Sequence, residues 1–163
     1  MNNEIYKTHN SKHKLMMVVN DRMNIEESKN RILFQISKLN NSNEQIETVE
    51  FFMSILDAKY LCHMLINDLF DFESDSDFSL VRGKTGKVRS FNLVKKKHKN
   101  SRYYSVQIDN GSGQAKENGY TNFQKKEKGL FYSLSSEQAI KMSLALKDRI
   151  FQRELIFLTN NSF

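Results

Sequence analysis

The 163-residue chain contains no proline, no tryptophan and a single cysteine, Cys62. One cysteine excludes an internal disulfide framework and fits a reducing compartment. No apolar run approaches the roughly 20 residues that a membrane span needs. The first residues, MNNEIYKTHNSKHK, lack the apolar core of a secretory signal. The expectation is therefore a soluble protein of the cytoplasm. Asn, Lys, Ser and Ile are abundant where Pro and Trp are missing, a bias that suggests an AT-rich genome. Chemistry motifs are missing too. Gly83-Lys-Thr-Gly86 has a Gly-Lys-Thr triplet but no upstream glycine and no strand–loop–helix context, so it reads as a turn between strands. His9, His13, His63 and His98 share no ligand spacing with one another or with Cys62, which argues against zinc. The acidic run from Asp71 to Asp77 has oxygens at alternate positions but lacks the central Gly and closing Glu of a calcium loop, so it reads as a solvated connector. No cofactor, metal site or catalytic residue is expected, and the chain reads as a non-enzyme.

What is present is a separation of charge. Residues 81–128 hold thirteen Lys or Arg against Asp109, Glu117 and Glu127, a local net charge of +10 within an overall +6. Residues 44–78 hold nine acids and only Lys59, for −8. The basic run is threaded with aromatics, amides and glycines, which suits a single-stranded nucleic acid: ammonium groups meet phosphates and flat rings meet bases. The candidate phosphate contacts are Lys95, Lys96, Lys97, Lys99 and Arg102, extended by Arg82, Lys84, Lys87, Arg89, Lys125 and Lys126. The candidate stackers are Tyr103, Tyr120 and Phe123, with Phe34 a further one from the first half.

At this length one well-cored domain spanning 1–163 is expected. Apolar spacing predicts helices over Leu56–Phe70 and Ser136–Phe151, the second capped by Ser135 or Ser136. Alternation predicts strands over Lys14–Val19, Arg31–Leu39, Glu47–Ser54, Arg89–Val94, Tyr103–Ile108 and Leu130–Leu134. Residues 95–102 read as a basic hairpin loop and Asn110-Gly-Ser-Gly113 as a turn. Shifting residues 51–70 by 81 lays Ser54 on Ser135, Ala58 on Ala139, Leu65 on Leu146 and Phe70 on Phe151. This weak self-similarity suggests two sheet-then-helix repeats, over 5–70 and 78–155, around one core.

That layout, with the basic half second, resembles the Whirly family of single-stranded DNA-binding proteins, whose fold is shared with the coactivator positive cofactor four. Three segments carry the resemblance: Ser11-Lys-His-Lys-Leu-Met-Met17; Gly86-Lys-Val-Arg-Ser-Phe-Asn-Leu-Val94 followed by Tyr103-Tyr-Ser-Val-Gln-Ile108; and Phe131-Tyr-Ser-Leu-Ser-Ser-Glu-Gln-Ala139. The resemblance implies an α+β fold with two antiparallel four-stranded sheets, each followed by a helix. It also implies a homo-oligomer, dimer or tetramer, with Lys12 and Lys14 serving assembly and DNA binding. The implied function is largely sequence-independent coating of single-stranded DNA in phage replication or recombination, with host or phage recombination proteins as further partners. A regulatory binder of duplex DNA or RNA would use the same lysines without the aromatics and is the alternative.

Overall fold

The computed structural model describes residues 3–23, 31–84, 86–115 and 121–161. Its strands are β1 (Glu4–Asn10), β2 (Leu15–Arg22), β3 (Arg31–Leu39) and β4 (Gln45–Ser54), followed by helix α1 (Ile55–Ile66). The pattern then repeats with β5 (Phe78–Lys84), β6 (Lys87–His98), β7 (Ser101–Ala115), β8 (Thr121–Ser135) and α2 (Ser136–Asn161). Each set of four strands makes its own antiparallel meander, ordered β1-β2-β3-β4 and β5-β6-β7-β8. The α+β arrangement of two sheets, each followed by a helix, is the one the family resemblance implies.

Alternation builds the core. Met17, Ile36 and Val49 form one cross-strand row of the first sheet, and Val19, Phe34 and Phe51 form the next. In the second sheet Leu93, Val106 and Tyr132 line up, as do Phe91, Ile108 and Leu130. These inward faces and the buried sides of both helices make one apolar cluster. Phe91 is its hub, with ring centroids 5.0 Å from Phe34, 5.7 Å from Phe51 and 5.8 Å from Phe78. The sheets are also joined by a polar clamp: the Asn110 side chain accepts from the Glu50 amide (3.2 Å) and donates to its carbonyl (3.0 Å). The clamp gives the edge strand β4 the partners that an unpaired strand would otherwise lack.

The helix starts repeat at the 81-residue offset. Ser54 Oγ accepts from the Asp57 amide, and Ser135 Oγ accepts from the Gln138 amide while Gln138 Oε1 accepts from the Ser135 amide. The second is a reciprocal capping box. Ala58 and Ala139, and Leu65 and Leu146, are all buried. The correspondence ends where the helices end differently. Phe70 is buried and Phe151 exposed, because α1 stops at Ile66 whereas α2 runs ten residues past its predicted limit at Phe151, to Asn161. Two loop readings are corrected as well. Strands β6 and β7 continue to His98 and from Ser101, leaving only Lys99 and Asn100 for the turn, with Lys99 at φ 54°. Asn110–Gly113 lies inside β7, where the register against β8 shifts twice. A Cβ on Gly111 would meet the Lys125 carbonyl oxygen, so this bulge admits glycine alone.

Buried Asp21 attaches α2 to the first sheet. Arg149 (3.2 Å) and Arg153 (2.8 Å) both donate to its Oδ2, and the Met23 amide donates to Oδ1. Nothing in the local sequence pairs Asp21 with residues more than 120 positions away, so this tie was invisible before folding.

Candidate nucleic-acid interface

The outward face of the second sheet is solvent-facing and unusually short in side chains. Cross-strand pairing sets its rows. Ser79, Asn92, Gln107 and Phe131 form one row, and Ser90, Asp109 and Gly129 lie in the next. In the other direction come Val94, Ser105 and Ser133, then Lys96, Tyr103 and Ser135. Phe131 is 59% exposed on the edge strand β8, bordering this carpet of hydroxyls and amides. Such a ring, held by a strand and open on its solvent side, is a platform for a planar ligand. Tyr103 is half-buried two rows away on the adjacent strand, roughly 14 Å from Phe131 at ordinary strand spacing.

Cations stand at both ends of the sheet. Lys96, Lys97, Lys99 and Arg102 crowd the β6–β7 hairpin. Lys87 begins β6 at the far end, and Lys125 and Lys126 lie beside it on β8 across from Ser112 and Gly111. Lys87 and Lys96 are nine positions apart on β6, a span of roughly 30 Å. Lys126 pairs with Asp109 at 2.8 Å on the outward face. Phe123 is half-buried and packs over Gly111.

Other candidate residues go elsewhere. Phe34 is 0% exposed and lies edge-on to Phe91, so no base can reach its ring. Lys95 is 5% exposed because its alternation position points it inward; its ammonium meets Asp68 Oδ1 at 2.6 Å and the Phe70 carbonyl at 3.4 Å. A buried, hydrogen-bonded ammonium does not neutralise a phosphate, so Lys95 leaves the interface. Arg82 turns to the helix side and reaches Asp57 at 2.7 Å. Arg89 turns toward the first sheet, 3.2 Å from Glu50 and over the Phe52 ring at 5.4 Å. Lys12 and Lys14 sit in the β1–β2 turn of the first sheet, Lys14 at φ 52°. Lys84 ends β5, with its side chain outside the described part, and Tyr120 lies outside the described residues.

The acidic connector from Asp71 to Asp77 is largely exposed, as the solvated reading expects, and touches the sheet at Phe72 and Glu73. Asp68 and Phe70, just before it, are held more firmly. Asp68 also accepts from the Tyr104 hydroxyl at 3.0 Å, and Phe70 packs edge-on against Tyr104. The hydrogen bond from Lys95 is the main reason the Asp68 carboxyl is held below its ordinary pKa. Burial, then the Asp68 contact, pushes the Tyr104 hydroxyl up to about 12. Phe72 lies 4.6 Å from the Lys95 ammonium and 5.6 Å from the Arg102 guanidinium, and the Glu73 amide donates to the Lys95 carbonyl. The connector thus meets β6 at a single parallel bridge between Phe72 and Lys95, ahead of the start of β5. Among the described residues no group of three or more His, Cys, Asp or Glu is placed to hold a metal ion.

Phe131 is absent from the candidates picked from the sequence, although the signal that marks it as exposed was there. Along Leu130–Leu134 the residues Leu130, Tyr132 and Leu134 face one way, leaving Phe131 with Ser133 on the other. An aromatic out of phase with the core pattern is the one to follow. Asn92 and Gln107 carry no such signal, since a single amide on a strand is ordinary.

No family model matches the chain, and no curated protein matches it. Solved structures do. The crystal structure of WHY1 from Arabidopsis thaliana superimposes with a TM-score of 0.50 over 87% of this chain and 85% of that one, at 9% sequence identity. The chain therefore has a Whirly-like fold.

Proposed function

We propose that the protein binds single-stranded DNA across the outward face of its second sheet, with little sequence preference and no catalysis. One observation carries this reading: an exposed ring, Phe131, at the edge of a polar sheet face with lysines at both ends. Phosphates at the two ends release counterions, giving affinity that falls steeply with salt. Bases between them stack, and a duplex offers no unpaired base face to Phe131 or Tyr103. The WHY1-like fold supports the same reading. The role we attach to it is coating and protection of strands during replication or recombination, in the cytoplasm of a phage-infected bacterium. The abundance of Asn, Lys, Ser and Ile fits an AT-rich source genome, which would suit a phage. No helix is long and apolar enough to cross a membrane among the described residues.

Self-association belongs to this proposal. Ile140, Leu144, Phe151 and Leu155 fall on one line of α2 and are all exposed, on a different side of the helix from buried Ala139, Met142 and Leu146. Two copies meeting there would cover that line, and light scattering would report a dimer or tetramer.

The test is a salt-titrated competition between an unstructured mixed-sequence oligonucleotide and a duplex of equal length. Tight, salt-sensitive binding to the single strand that duplex does not displace is the expected result. Equal affinity for both would favour the regulatory reading, in which lysines alone bind.

A further inference from the structure

The exposed ring does not stand on a neutral surface: the groups beside it are oriented. Gly129 lies directly across from Asp109, and the space its missing side chain leaves is filled by the Asp109 carboxylate, whose Oδ1 is 2.3 Å from where a Cβ would sit. Asp109 is thereby sunk into the sheet at 7% exposure and held there by Lys126. The amide nitrogen of Gln107 donates to both oxygens of this carboxylate, at 3.0 and 3.2 Å. The charge of Asp109 decides which way the amide turns, because the reversed amide would set oxygen against carboxylate. Gln107 therefore carries its carbonyl oxygen away from Asp109, and no described group donates to that oxygen. Gln107 pairs directly with Phe131 on β8 and with Asn92 on β6. Asn92 Oδ1 is itself buried without a hydrogen-bond partner among the described residues.

We infer that Gln107, positioned by Asp109, is a base-edge acceptor for the nucleobase stacked on Phe131, and that it favours bases with an exocyclic amine over thymine or uracil. The inference rests on the single-strand reading above. Directly opposed residues on neighbouring strands have Cβ atoms about 4.5–5.5 Å apart, so a base lying on Phe131 brings its edge over Gln107. The group it meets there is an oxygen, backed by a carboxylate. Cytosine, adenine and guanine offer an amine to such a site. Uracil and thymine offer an N–H flanked by two carbonyls, both of which the acceptors repel. Gln107 is the contacting residue; Asp109 acts through it.

The experiment compares oligo-dC with oligo-dU of one length on the whole protein at neutral pH and fixed salt. The two differ only in the donor and acceptor pattern of the base edge, so phosphate and stacking contributions are shared. The expected result is roughly fivefold tighter binding to oligo-dC, as one hydrogen bond supplies. Gln107→Ala, an exposed strand substitution, brings the ratio to about one. Asp109→Asn lowers the ratio as well, although the lost negative charge raises affinity for both strands; a purely structural role for Asp109 would leave the ratio unmoved. Equal binding of oligo-dC and oligo-dU by the parent protein overturns the inference and leaves strand binding intact. A preference that survives Gln107→Ala overturns it too, by placing the reader elsewhere. No binding to either strand would overturn the single-strand reading and this inference together.

Discussion

The two sheets share an architecture and differ in what their outward faces do with polar groups. On the first sheet the amides and acids satisfy one another. Asn20 donates to Gln35 at 3.1 Å, Gln35 to Glu50 at 3.5 Å, and Arg89 pairs with Glu50 at 3.2 Å, a ladder crossing three strands and reaching into the other sheet. Ser37 and Thr48 bond alongside it. On the second sheet the equivalent positions are short hydroxyls, one oriented glutamine and an open aromatic ring. A ladder that satisfies its own donors and acceptors gains nothing from a ligand, whereas unsatisfied groups beside a ring do. The same repeat thus carries two different outward faces: one is closed into its own hydrogen-bond ladder, and the other leaves a ring and an amide oxygen open to solvent.

Substitutions that break or sharpen this contrast rank by expected size. The largest effect belongs to the shared core. Phe91→Ala removes the ring against which Phe34, Phe51 and Phe78 pack, so chemical denaturation should show a loss of about 3–5 kcal/mol. Next comes the comparison of the two exposed rings. Phe131→Ala should weaken single-strand binding by roughly 5- to 100-fold, as loss of one stacked base would, with little change in the denaturation midpoint. Phe52→Ala, on the outward face of the first sheet beneath Arg89, should leave binding nearly unchanged; equal losses for the two would erase the distinction between faces.

Two lysines of one run, Lys95 and Lys97, separate structure from binding within one strand. Lys97→Ala should reduce the slope of log affinity against log salt by about one and leave stability alone. Lys95→Ala should do the reverse, since its ammonium is buried against Asp68. The smallest effect is pH-linked. The carboxyl of Asp68 is held below its ordinary pKa in the folded protein, so its contribution is complete above the ordinary aspartate range and is lost as pH falls through the lowered folded value. Its side chain is about half exposed, which screens the pair and keeps the contribution small. Acid titration of the thermal midpoint should therefore show a shallow step in the parent protein that Asp68→Asn removes.

Much of the fold was legible. The start of the second helix at Ser135 follows from local capping chemistry, and the strand Arg31–Leu39 follows from its alternation, because both are short-range rules. The same alternation, applied strictly, would have excluded Phe34 and Lys95 from the interface and nominated Phe131. Lys95 was misplaced because a run of three lysines looks like a loop, while the strand actually continues through it and turns every second residue inward.

By itself the sequence determined the two repeats, the segregation of charge and which residues could form a core, since periodicity and capping act within a few residues of the chain. Only the tertiary structure decided which cations remain available. Arg82, Arg89, Lys95 and Lys126 find carboxylates at Asp57, Glu50, Asp68 and Asp109, and those partners lie 25, 39, 27 and 17 positions away. Only packing, likewise, could sink Asp109 into the gap at Gly129 and so turn the amide of Gln107, because that orientation depends on register between strands and on nothing in the local run of residues.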